Sequence, residues 1–344
     1  MSLLIIRVAR QIPMRKREFA VRTMNAPGLG ALVRRLRWWR GLLVLNYHRI
    51  GSAAGSPFDW ELWSATAEDF DAQVAHVARH FDVIGPDDLE HALSDRTGRF
   101  VMLTFDDGYR DNYELAFPIL KSHGAVATFF ITTGFLDNLD LAWWDEIAWM
   151  VRTSQRSHIK ANQWIGEDIC WDAPDRCNAI RRLLDVYKRL NADDTARYID
   201  LLAEATGSGR APRVAAADVW MTWEMVREMH RAGMPIGGHT VTHPVLSRLD
   251  AVSQGREIGD CKHRIEAELG ESITAFSYPV GSRDAFDDRT RSALRQHGFR
   301  WAFSYYGGYA SPQSDSFNVL RTAIERDTLL PEFRAVTTMP QIFA

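Results

Sequence analysis

Short apolar runs recur along the chain, and each stops at a cluster of polar or turn-forming residues. Leu42–Leu45 runs into Asn46-Tyr47-His48-Arg49 and reads as a buried strand entering a loop. Gly, Ser, Ala and Pro dominate residues 51–60, which read as loop. A helix is predicted from Thr66, with Asp69 as its capping-box partner and Phe70, Val74, Val77 and Phe81 at helical spacing. Phe100–Phe105 is a second buried strand, broken at Asp106-Asp107-Gly108. A helix carrying Leu115, Ile119 and Leu120 follows and stops at Gly124, and Ala127–Thr132 returns as strand. The same alternation resumes later: helix Trp223–Arg231, strand Met234–Gly237, helix 253–269, strand Ala275–Tyr278, helix Asp287–His297 and strand Arg300–Ser304. Strand–helix alternation predicts an α/β fold with a mostly parallel sheet. Residues 137–218 interrupt it. They begin with Trp143, Trp144 and Trp149, are helical over Ile180–Leu190, and read as a helical insertion.

Composition adds a packed globular core: 46% of the 344 residues are hydrophobic and 25% charged. The formal net charge of −3 hides an asymmetry. Residues 1–40 carry ten arginines and lysines against Glu18 alone, so the remainder is acidic. With Leu3, Leu4, Ile5, Ile6, Leu36, Trp38 and Trp39 interspersed, this segment fits either peripheral contact with an anionic membrane surface or a solvated basic helix packed on its own domain. An acidic body argues against a nucleic-acid partner. Arg7 and Arg10 interrupt the first apolar run, so neither a secretory signal nor a membrane span is expected. The odd cysteine count, Cys170, Cys177 and Cys261 with no C-x-x-C pair, fits a reduced cytoplasmic setting.

The chemistry lies at the strand ends. Thr104-Phe105-Asp106-Asp107-Gly108-Tyr109 puts adjacent carboxylates at a turn, where one can ligate a metal while the other takes a proton from the attacking water. Alone, an Asp-Asp-Gly is more often an ordinary loop. Gly237-Gly238-His239-Thr240-Val241-Thr242-His243-Pro244 holds two histidines four apart, in a loop rather than a helix given the glycines and Pro244. Together the two clusters supply three ligands and a free base, as a hydrolytic metal site requires. Ala275-Phe276-Ser277-Tyr278-Pro279-Val280-Gly281 is a third strand-end element, either a tight turn or a holder of backbone N–H groups toward an oxyanion.

Taken in order, TFDDGY, GGHTVTHP and FSYPVG resemble the polysaccharide deacetylase family, which contains the NodB homology domain and is similar to carbohydrate esterase family 4. The resemblance covers roughly residues 40–136 and 219–325. It implies a distorted (β/α) barrel over 41–325, interrupted by the helical insertion at 137–218, with a basic segment before it and a tail at 326–344. It also implies a divalent metal, zinc first and cobalt, nickel or manganese as alternatives, bound by Asp107, His239 and His243, with Asp106 as general base. The substrate implied is an N-acylated carbohydrate, most simply an N-acetyl amino sugar in a polysaccharide or glycan precursor. A deformylase, an O-acetyl esterase or a non-catalytic sugar-binding protein on the same fold are the alternatives. The sequence departs from the family pattern at two places: Ser277 stands where an arginine is usual, and Val280 where an aromatic is usual. No late Leu-x-His is present, and the branch with an early Tyr-His motif points to His48 as the catalytic acid. Arg321 is the candidate to replace the missing arginine in holding Asp106 ionised. Tyr109, Pro279 and Val280 are expected to contact substrate, support the oxyanion or tune the site.

Overall fold

The computed structural model describes residues 39–95, 97–171, 176–311 and 314–343. The basic segment, apart from Trp39 and Arg40, lies outside the described residues. Among the described residues no helix is long and apolar enough to cross a membrane.

Eight parallel strands form the central sheet: β1 Gly41–Tyr47, β2 Asp82–Val83, β3 Arg99–Phe105, β4 Ala127–Ile131, β5 Ile236–Gly238, β6 Ala275–Ser277, β7 Trp301–Phe303 and β8 Arg321–Ala323. Their order is β7-β6-β5-β4-β3-β1-β8, with β2 paired to the start of β3. A parallel bridge from Phe303 to Val319, just before β8, brings the two ends together, so the sheet is a nearly closed barrel. The β1–β3 register, Gly41 with Arg99 through Tyr47 with Phe105, is unbroken.

Each barrel strand is covered on both faces, which explains why the runs are continuously apolar. Side chains alternate with period two. Leu42, Val44, Met102, Phe130, Ala275, Phe303 and Val319 form the inner cluster. Leu43, Leu45, Tyr47, Val101, Leu103, Phe105 and Phe129 face the helices. Continuing the inner parity along each strand reaches Asn46, Thr104, Asp106, Ser277 and Arg321, all buried. A polar layer thus caps an apolar interior at the C-terminal ends of the strands, the face where barrels of this kind hold their sites.

Among the described residues, the 137–218 region holds the α-helices Trp143–Thr153, Arg176–Tyr187 and Ala192–Thr206, a 3-10 turn at Arg213–Ala216 and a short antiparallel pair, His158–Ile159 with Ile169–Cys170. The helical expectation omitted that pair. Residues after 325 form helix Leu330–Thr338, whose Phe333 is buried in the main core. Trp39 donates from Nε1 to the Thr337 carbonyl and joins the start of the barrel to this helix. Leu115, read as part of a helix, lies in a π-helical turn at Asn112–Ala116 and is more than one-third exposed.

Candidate metal centre and active site

Asp106 and Asp107 leave β3 together, yet both are buried. Asp107 adopts φ 76°, and Gly108 after it φ 94°. This left-handed step turns the second carboxylate back, where a continued strand would have sent it to the opposite face. The histidine loop is bent in the same way, with φ 69° at Thr240 and 57° at His243. Its shape is clamped from two sides. Thr133 and Gly134 donate their N–H groups to the carbonyls of Thr240 and Val241. Glu257 accepts the N–H groups of Val241 and Thr242 at 2.8 and 2.9 Å.

The result is a convergence of Asp107, His239 and His243, whose ligand atoms lie within 4.8 Å of one another. Asp107 Oδ1 is 3.4 Å from His239 Nε2 and 3.5 Å from His243 Nε2. His239 Nδ1 donates to the Ser277 carbonyl at 2.7 Å, which leaves a lone pair on Nε2. Among the described residues, Asp107 Oδ1 is buried without a hydrogen-bond partner. With both rings neutral, three acceptor atoms face one another across a small gap, an arrangement that fits a divalent cation. Burial resists charge on Asp107, but the neighbouring His239 and His243 bring its carboxyl below the ordinary range. Burial, then the adjacent His239, pushes His243 down to about 3, so its imidazole is neutral and ligand-ready.

Asp106 stands beside this group, with Oδ2 3.9 Å from His239 Nε2. Arg321 grips it in a two-pronged pair, Nη1 to Oδ1 and Nη2 to Oδ2 at 2.8 Å each. Nη2 also donates to Ser277 Oγ at 2.8 Å, Nη1 to Asn46 Oδ1, and Nε to the Ser304 carbonyl at 3.1 Å. Burial opposes ionisation of Asp106, but the guanidinium charge outweighs it and holds the carboxyl well below its usual range. At Ser277 the side chain is small, and β8, two strands from β6 across the closing bridge, delivers a guanidinium instead.

His48 leaves β1 next to Asp106, whose N–H donates to the Tyr47 carbonyl. Its backbone is fixed by Ser64 Oγ and Asn112 Nδ2, and its ring meets Tyr305 edge-on at 5.7 Å. Burial lowers its pKa, while the charges of Asp107 and Asp106 pull the other way. Val280 adopts φ 62° after Pro279, and its loop is tied to β7 by the Tyr305 N–H donating to Gly281 O. Tyr109 was expected to contact substrate, support the oxyanion or tune the site. It is fully buried, and its hydroxyl is held by Asp145 and Trp144. Asn46, Thr104 and Glu257 were not singled out by the sequence. Only the first two carried a signal, as polar residues at the inner-face positions of apolar strands.

A buried, charge-paired carboxylate beside an Asp-His-His cluster, at the C-terminal mouth of a parallel barrel, is the arrangement of a hydrolytic metal site. The polysaccharide deacetylase family model matches residues 94–164 and 168–302, and the chain belongs to that family. The match runs through most of the helical region and leaves out both His48 and Arg321. YxkH of Bacillus subtilis (strain 168), whose own assignment as a polysaccharide deacetylase is provisional, is 22% identical over 224 residues, which are 65% of this chain and 51% of YxkH. The chain thus spans about half the length of that curated relative. The fold is similar to that of the Streptococcus pyogenes deacetylase PplD, solved with acetate, with a TM-score of 0.58 and 20% identity over 87% of this chain and 99% of PplD. It is also similar to a de-N-acetylase from Aggregatibacter actinomycetemcomitans, with a TM-score of 0.52 and 18% identity over 83% and 96% of the two chains.

Proposed function

We propose that this protein hydrolyses the N-acyl amide of an amino sugar in a polysaccharide or glycan precursor, with acetyl as the acyl group. The observation that carries the reading is the Arg321-paired Asp106 set against the buried Asp107, His239 and His243 cluster. Family membership supports a sugar-polymer deacetylase, and the acetate in the PplD structure supports acetyl as the group removed. Asp107, His239 and His243 would hold a divalent ion, which would supply Lewis acidity and lower the pKa of water.

The remaining work falls to the chain. Asp106, kept ionised by Arg321, accepts the proton of the attacking water. The Val280 N–H, on a left-handed turn, donates to the oxyanion as the carbonyl becomes tetrahedral. His48 gives a proton to the departing sugar nitrogen, so that the C–N bond breaks to a free amine and a carboxylate. The test is acetate release from N-acetylglucosamine oligomers, with formyl amide and O-acetyl ester analogues in parallel. Asp106→Asn is expected to lose activity by about 1,000-fold while still binding metal, and His48→Asn to lose kcat with KM retained. Near-normal turnover by D106N would overturn the roles assigned, and faster turnover of the formyl or ester analogue would overturn the acetyl amide as substrate.

A further inference from the structure

The two imidazoles of the cluster are oriented by different means. His239 has its Nδ1 bonded to the Ser277 carbonyl. His243 Nδ1 is buried and, among the described residues, has no hydrogen-bond partner. Packing by the first turn of helix Trp143–Thr153 holds it instead. The Trp144 ring meets His243 edge-on with centroids 4.4 Å apart, and Trp143 Nε1 donates to the His243 carbonyl at 3.2 Å.

This turn also reaches the Asp107 loop. Trp144 Nε1 donates to the Tyr109 hydroxyl at 2.7 Å, and that hydroxyl donates to Asp145 Oδ2 at 2.8 Å. Asp145 Oδ1 accepts the Asp59 N–H at 3.0 Å. Tyr109 lies two residues after Asp107, and Arg49 covers its ring while pairing with Asp111 at 2.8 Å. One buried hydroxyl, with its single proton committed to Asp145 and a lone pair committed to Trp144, joins the strained loops of two cluster members. Trp144 and Asp145 are fully or almost fully buried, so neither serves as a sugar platform on the surface.

We propose that Trp144 and Asp145, acting through the Tyr109 hydroxyl, are positioning residues that set the His243 imidazole and the Asp107 loop for metal binding. This rests on the reading that Asp107, His239 and His243 hold the metal. The helical region is then a structural part of the metal site.

The test uses the full chain stripped of metal by a chelator and titrated with Co2+, read by visible ligand-field absorption and by quenching of tryptophan fluorescence. Wild type is expected to bind one equivalent, and His239→Ala to lose binding. Failure of either result would refute the metal-site reading itself. Trp144→Phe keeps a ring against His243 but removes the N–H donor. It is expected to weaken Co2+ binding by about 10-fold or more and to alter the absorption envelope, with far-UV circular dichroism unchanged. Tyr109→Phe breaks the same joint and is expected to do likewise. The two together should cost little more than either alone. Should one variant fail to fold, the other carries the test. Wild-type affinity and spectrum in a folded W144F or Y109F, alongside a dead H239A, would overturn the positioning role.

Discussion

Replacing Arg321 by Met removes a charge from one of the most enclosed places in the barrel. Arg321 and Asp106 are 1% and 3% exposed. A guanidinium has five N–H donors, and here the acceptors are both Asp106 oxygens, Asn46 Oδ1, Ser277 Oγ and the Ser304 carbonyl. Without it, Asp106 keeps, among the described residues, only Ser277 Oγ at 3.2 Å and Asn46 Nδ2 at 3.5 Å as side-chain hydrogen-bond donors. Leaving one partner of a buried ion pair uncompensated costs about 3–5 kcal/mol, so R321M should lose that much stability. Much of that loss is the penalty on the stranded carboxylate. Asp106→Asn in the same background should therefore restore part of it, giving a coupling of about 2–3 kcal/mol in the four-protein cycle. Urea denaturation of chelator-treated wild type, R321M, D106N and the double variant measures this directly. Additivity within about 0.5 kcal/mol would refute the claim that Arg321 acts chiefly on Asp106.

Asp145 is the reverse case. Burial raises its carboxyl to about 7 despite the nearby Arg49. The unfolded chain ionises it first, so stability falls as pH rises from about 4 to 7, by at most roughly 4 kcal/mol. Urea midpoints at pH 5 and pH 8 should therefore separate less for Asp145→Asn than for wild type, and equal separations would contradict the burial argument. A Cβ at Gly134 would sit 2.5 Å from the Val241 carbonyl oxygen. Gly134→Ala should cost about 1–3 kcal/mol and, by displacing the His243 loop, weaken Co2+ binding in a chelator competition assay. Gly255→Ala, in open space on helix Ala251–Leu269, should leave binding unchanged.

The strand ends were legible because the polar clusters that stop the apolar runs are also the loops of the site. Ala127–Thr132 is found as Ala127–Ile131, and Ala275–Tyr278 as Ala275–Ser277. The two-residue strand at Asp82 and β8 at Arg321 escaped notice because such short elements show no period of their own. Closure of the barrel depends on the Phe303 bridge to Val319, a long-range pairing with no local signature. Trp143 and Trp144 illustrate a different limit. Their place in 137–218 assigned them to the helical insertion. Trp143 does stack on Tyr187 of the insertion at 4.1 Å, but Trp144 lies against His243 and Tyr109. A pattern of apolar residues says that a face is buried and not which neighbour buries it.

What links the site residues is backbone conformation. Of the five non-glycine residues at positive φ among the described residues, Asp107, Thr240, His243 and Val280 all lie in the three loops of the site. Such conformations cost on the order of 1–3 kcal/mol each and persist only where surroundings over-determine them. The surroundings are identifiable here. Gly108 completes the Asp107 turn, Glu257 and the start of helix Thr133–Asn138 clamp the histidine loop, and Gly281 is tied to Tyr305. Glu257, Thr133, Gly134 and Tyr305 lie outside the three motifs that announce the chemistry. The motifs supply the reactive side chains, and the clamps bring Asp107 Oδ1 and the two imidazole nitrogens into one gap. A chain with the same motifs but no Glu257 or Gly134 would keep the residue types and lose the convergence that lets them share one ion.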